Sequence, residues 1–179
     1  LVTQTACEFF SKIPIRYEGE GNPISRYLKA MLAEIMKRAE VLQKDDEEED
    51  CGSTMTAVLL KDDELYFLSV GDSRIYLVRD GRLYQMNREH NVGSRLAEHM
   101  ARGEMLLEDY RDTRGKSGLT SFIGLRNLNL YDLSVRPIKM KNGDMVMLMS
   151  DGVFGTLSEQ EILECLTQDC GESAHNLKE

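Results

Sequence analysis

Apolar residues recur at helical spacing along the first part of the chain and at a spacing of two along its middle. That change of period divides the chain in two. Leu1 to Phe10 has the pattern of a helix already under way. After Pro14 and the polar run Glu18-Gly19-Glu20-Gly21, Asn22-Pro23 supplies a cap residue and a proline for the first helical position, which predicts a helix start. Ile24, Tyr27, Leu28, Met31, Leu32, Ile35, Met36, Ala39 and Leu42 then recur at helical spacing, predicting a long amphipathic helix whose methionine-rich stripe packs into a core in preference to forming a partner groove. Asp45 to Asp50 is an unbroken acidic run. Consecutive carboxylates repel and point apart, so this is a solvated loop rather than a metal site.

From Gly52 the alternation predicts strands over 53–61, 64–70, 74–79 and 82–86, with tight turns at Asp62-Asp63 and Asp80-Gly81. This is an antiparallel meander. Asn91 to Gly103 turns helical again, and the polar segment Arg111 to Ser117 is expected to be mobile and poorly packed. Leu128 to Met140 alternates like a strand, and Met145 to Ser150 is the last strand. Ser158-Glu159-Gln160-Glu161 is a capping box ahead of Ile162, Leu163 and Leu166, so a further helix follows.

Two of these strands share a design. Leu65 to Val70 and Met145 to Met149 have no polar face, which predicts burial on both sides, and each runs into an aspartate beside a glycine: Gly71-Asp72 and Asp151-Gly152. A carboxylate at the end of a buried strand is costly unless something pairs with it, and glycine lets backbone or ligand come close. Asp-Gly is also a common turn dipeptide, and one occurrence alone reads more readily as a turn. The repeated design points instead to a cation shared by Asp72 and Asp151, whose carboxylates are expected to lie close together.

Composition narrows the function. With 179 residues, 41% apolar and 30% charged, the chain is one globular domain's worth with ample core. A formal charge of -9 argues against nucleic acid or an anionic membrane as partner. No apolar run is long enough to span a bilayer, and the start resembles no signal peptide. Cys7, Cys51, Cys165 and Cys170 lack metal-binding spacing, and His90, His99 and His175 are scattered. Reduced cysteines in a cytoplasmic, monomeric protein are the expectation.

Gly52-Ser53-Thr54, Val70-Gly71-Asp72-Ser73-Arg74 with Tyr76, Glu89-His90, Gly118-Leu119-Thr120 with Gly124, Gly143-Asp144, and Ser150-Asp151-Gly152 with Leu157-Ser158 and Glu161-Ile162 follow one another in order. Together they resemble the metal-dependent type 2C serine/threonine protein phosphatases in their compact bacterial form, over 52–166. The resemblance implies an α+β, four-layer α-β-β-α sandwich of two antiparallel sheets flanked by helices, with metals in a cleft at one end. It implies hydrolysis of phosphoserine and phosphothreonine in phosphorylated protein substrates, by water activated at two core Mn or Mg ions, with a third ion in a weaker site. Asp151 then corresponds to a ligand of the core pair and Asp72 to a ligand of the weaker site. Residues 91–117 resemble a flap beside the cleft, and Glu89 stands where the family has aspartate. We take Glu89 and His90 as structural.

The chemistry agrees, since hard divalent cations want oxygen ligands and need neither Cys nor His. The chain also departs from the pattern. The family's metal-bridging Asp-Gly-(His or Met)-Gly-Gly motif, its upstream phosphate-holding arginine and its late Asp-Asn motif do not occur. The expectation is an internal fragment of a catalytic domain, incomplete at both ends and inactive alone. A non-catalytic phosphatase-like module that binds a protein partner is the alternative, and an interaction domain with merely similar strands is a more distant one.

Overall fold

The computed structural model describes residues 1–12, 23–45 and 52–167. The predicted cap at Asn22, the loop through Pro14 and all but the first residue of the acidic run lie outside them. Helices α1 (Val2–Phe10) and α2 (Pro23–Asp45) precede strands β1 (Met55–Lys61), β2 (Glu64–Val70), β3 (Arg74–Arg79) and β4 (Arg82–Gln85), as the periodicity predicts. The joining turns hold Asp62 at φ 56°, and Asp80 and Gly81 at φ 52° and 70°. Glycine adopts that left-handed region freely, and aspartate is among the few other residues enriched there. Then come α3 (Val92–Ala101), α4 (Leu107–Asp112), β5 (Asp132–Leu133), β6 (Ile138–Lys139), β7 (Met145–Met149), α5 (Asp151–Phe154) and α6 (Glu159–Thr167).

The strands form two sheets. In the first, β2 pairs antiparallel with β1 along one edge and with β5 and β6 along the other. In the second, β3 lies between β4 and β7, again antiparallel. Side chains on a strand alternate between faces, and β2 uses both. Tyr66, Leu68 and Val70 meet Leu28, Met31 and Ile35 of α2, while Leu65 and Phe67 meet Ile75 of β3 in the layer between the sheets. On the outer face of the second sheet, Tyr76, Val78 and Met149 pack against Ile162 and Leu166 of α6. The order helix, sheet, sheet, helix is the expected α+β four-layer arrangement. Ser158 and Glu161 form the predicted capping box: the Ser158 backbone N–H donates to Glu161 Oε2 (2.8 Å) and the Glu161 N–H to Ser158 Oγ (3.3 Å).

Three expectations need correction. The run Met145 to Met149 is not buried on both sides, because β7 is outermost in the order β4-β3-β7 and leaves Met145 and Leu148 exposed. The strand expected over 128–140 is two short pieces, β5 and β6. Ser134 ends the first by receiving the Phe67 N–H on its side-chain oxygen (2.8 Å), and Pro137 brings no N–H to the ladder. Ser53 lies outside β1 and makes only an isolated bridge to Ile123.

Gly143-Asp144 proves to be structural. Arg79 Nε and Nη2 donate to the two oxygens of Asp144 (2.9 and 2.6 Å), which also receives the Lys141 N–H (2.7 Å). The guanidinium, opposed by partial desolvation and helped by the backbone N–H, lowers the Asp144 carboxyl to about 2. That lies below the unfolded aspartate value of about 3.9. The contribution is therefore present above about pH 4 and lost as pH falls towards 2. Urea unfolding at pH 5 and pH 2.5 should show a smaller acid-induced loss of stability in Asp144→Asn than in the unaltered chain.

Candidate metal centre

The β3–β7 ladder pairs Arg74 with Met149 at its end. Asp72, just past β2 and two residues before Arg74, and Asp151, the first residue of α5 and two residues after Met149, therefore lie at the same end of this ladder, near enough for the charge of Asp151 to act on Asp72. Asp72 is half-buried and Asp151 exposed. Burial raises the Asp72 carboxyl above its ordinary value, its own backbone N–H opposes the rise, and the charges of Asp151 and Glu89 add to it. The two aspartates thus stand at one end of the sandwich and repel each other. That is an arrangement a divalent ion relieves.

Glu89 is not free to join them. Arg74 holds it through Nε (2.8 Å) and Nη2 (2.7 Å), turns Nη1 to the Tyr76 hydroxyl (3.0 Å), and stacks its guanidinium 3.9 Å from the Phe154 ring centroid. One side chain on β3 therefore ties the 87–91 segment to α5, the helix that Asp151 starts. Below the site, the Asn87 amide receives the Ile75 N–H on Oδ1 (2.7 Å) and donates to Ser69 Oγ (2.8 Å) and to the Ser73 carbonyl (2.8 Å). It thereby joins the end of β2 to the start of β3 around Asp72. Spacing does not mark Asn87 or Phe154, because their partners are distant in sequence. Only the Arg74 of Gly-Asp-Ser-Arg carries a signal.

In the segment compared to a flap, Asn91 caps α3 by receiving the Ser94 N–H (2.8 Å). Arg111, Arg114 and Gly115 are exposed. Two features differ from a loose segment. Residues 107–112 form α4, with Glu108 and Asp109 in its first turn and Arg111 in its last, which suits the helix dipole. Lys116 is anchored: its carbonyl receives the Gly93 N–H (2.8 Å), and its ammonium donates to the Arg111 carbonyl and lies 4.5 Å from the Tyr110 ring centroid.

Two carboxylates suit a hard cation in donor type but do not complete its ligand set. Among the described residues, no group of three or more His, Cys, Asp or Glu is gathered to hold a metal. Cys7 and Cys165 form no disulfide.

A family model described as "Protein phosphatase 2C" matches residues 1–175. The chain is 31% identical over 134 residues to the serine/threonine protein phosphatase PstP of Mycobacterium tuberculosis, covering 73% of this chain and 24% of that protein. It is 26% identical over 128 residues to the protein phosphatase PhpP of Streptococcus pneumoniae, covering 72% of this chain and 50% of that protein. It therefore spans half or less of the length of these curated relatives. Among solved structures, a serine/threonine phosphatase of S. agalactiae superposes with a TM-score of 0.80 at 25% identity, over 98% of this chain and 71% of that one. The catalytic domain of a serine/threonine protein phosphatase PstP, solved in complex with two manganese ions, shares the fold with a TM-score of 0.67 at 22% identity, over 99% of this chain and 72% of that one.

Proposed function

Because the chain belongs to the protein phosphatase 2C family, we propose that it forms part of the active site of a phosphoprotein phosphatase acting on phosphoserine and phosphothreonine. Asp72 and Asp151 would serve as ligands of Mn or Mg. The observation that supports this reading is that both aspartates lie at the same end of the β3–β7 ladder, with the charge of Asp151 acting on Asp72. Divalent ions, when bound, supply positive charge for the phosphoryl oxygens and make water acidic enough to attack at neutral pH.

The chain's own residues divide the remaining tasks. Asp151, exposed at the start of α5, offers its carboxylate to a core ion. Asp72, half-buried, offers its carboxylate to a weaker one. Arg74, already neutralised by Glu89, braces the elements that carry both rather than contacting phosphate. Residues 91–117 act as the flap, and Arg111 and Arg114 present positive charge to an anionic phosphopeptide at its exposed face. A monomer in signalling within the bacterial cytoplasm belongs to the same proposal.

The test is phosphate release from a phosphoserine peptide by the complete reading frame that contains residues 1–179. Turnover should require added Mn or Mg and fall about a hundredfold or more with excess EDTA. Undiminished turnover in EDTA would overturn the metal reading. Residues 1–179 alone should bind Mn only weakly, since two carboxylates cannot orient and neutralise two divalent ions.

A further inference from the structure

We propose that His90 is a positioning residue for Asp72, holding both polar groups of Gly71 with its imidazole and its own backbone N–H. The inference rests on the reading of Asp72 as a metal ligand. The Gly71 N–H donates to His90 Nδ1 (3.1 Å), and the His90 N–H donates to the Gly71 carbonyl (2.9 Å). That carbonyl belongs to the peptide unit that leads directly into Asp72. Gly71 itself sits at φ +100°, with Thr54 packed so closely that a Cβ would stand 2.4 Å from its Cγ2. Threonine thus closes one side of Gly71 and histidine holds the other.

The ring is fixed in turn. An Nδ1 that accepts carries no proton, so the proton is on Nε2. Nε2 is buried without a hydrogen-bond partner, 3.7 Å from Asp132 Oδ1. Asp132 belongs to β5 and is itself gripped by the Arg88 backbone N–H (2.6 Å), Nε (3.1 Å) and Nη2 (2.7 Å). Burial alone would raise the Asp132 carboxyl, but His90 and Arg88 more than offset it and hold it well below the ordinary aspartate range. The carboxylate therefore remains anionic and faces the Nε2 proton. The His90 carbonyl receives the Thr120 N–H (2.8 Å), which secures the backbone half of the clamp. A histidine that merely filled space would need none of this polarity at Nδ1.

Two variants separate a clamp from a filler. Asparagine places an acceptor oxygen where Nδ1 stands, whereas glutamine reaches only the Nε2 position. Amide hydrogen exchange of residues 1–179 should show Gly71 protection kept within about threefold in His90→Asn and lowered about tenfold or more in His90→Gln. Mn added to the same samples should broaden the Asp72 and Ser73 amides with a midpoint close to the unaltered chain's in the asparagine variant and about tenfold higher in the glutamine variant. Equal behaviour of the two variants, whether both keep or both lose protection, would overturn the clamp. If neither variant folds, imidazole nitrogen shifts of the unaltered chain decide: a proton on Nε2 supports the proposal, and one on Nδ1 overturns it. If the Asp72 and Ser73 amides of the unaltered chain ignore Mn, the exchange contrast between asparagine and glutamine still decides the clamp, and the metal reading stands or falls with the response of the complete reading frame to EDTA.

Discussion

Asp151→Asn in the complete reading frame is expected to lower Mn-dependent hydrolysis of a phosphoserine peptide by about a hundredfold or more, and Asp72→Asn by about tenfold. The substitution keeps the side chain's size and removes its charge. At Asp151 it takes an anionic donor from an exposed position at the start of α5, where little packing depends on it. Loss of activity there would reflect ion binding rather than folding. At Asp72 the same change also removes a carboxylate that burial and the charges of Asp151 and Glu89 work against. Asp72→Asn should therefore leave the fold at least as stable while weakening one ion. Calorimetric titration with Mn should show tight binding lost in Asp151→Asn and largely kept in Asp72→Asn. Equal turnover in Asp151→Asn and the unaltered protein would show that Asp151 is not a ligand.

Much of this arrangement is legible in the chain because local pattern and tertiary environment agree. Leu65 to Val70 reads as a strand buried on both faces, and β2 is one, with α2 on one side and β3 on the other. Met145 to Met149 has the same apolar character but a different place in its sheet. Periodicity reports which residues prefer an interior, not how many neighbours a strand receives, so it overstates the burial of β7. Ser134 and Pro137 show a different failure: alternation continues through 128–140, while hydrogen bonding is interrupted by one side chain and one missing donor. Helix α4 is only six residues long, too short for a helical period to stand out.

At the site, the aspartates are legible as a repeated design. What surrounds them is not. Arg74 of β3 meets Phe154 of α5, and Asn87 reaches three backbone or side-chain groups on β2, on β3 and in the turn between them. Such contacts depend on how separate elements pack together, which no spacing within one strand encodes. The place of His90 beside Glu89 suggests a structural role and no more. Its hydrogen bonds give that role a direction, since they end on the residue that precedes Asp72.

Gly71→Ala is expected to destabilise the chain by about 2–5 kcal/mol, the sum of a left-handed backbone penalty of about 1–2 kcal/mol and an overpacking cost of about 1–3 kcal/mol. The two parts can be separated within this molecule. Gly81 has a φ of +70° and nothing within 4 Å of the place a Cβ would occupy, whereas at Gly71, with φ +100°, a Cβ would meet Thr54 Cγ2 at 2.4 Å and Cβ at 2.7 Å. Gly81→Ala therefore isolates the backbone penalty and should cost about 1–2 kcal/mol. Thr54→Ser removes the Cγ2 methyl but keeps the hydroxyl that lies 3.1 Å from Ser73 Oγ. Combined with Gly71→Ala, it should recover about 0.5–3 kcal/mol relative to the sum of the single changes. The recovery should be incomplete, because the threonine Cβ and the backbone angle remain. Urea unfolding of the four variants provides the measurement. A Gly71→Ala chain no less stable than Gly81→Ala, or a double variant that is simply additive, would show that Thr54 does not close the space beside Gly71.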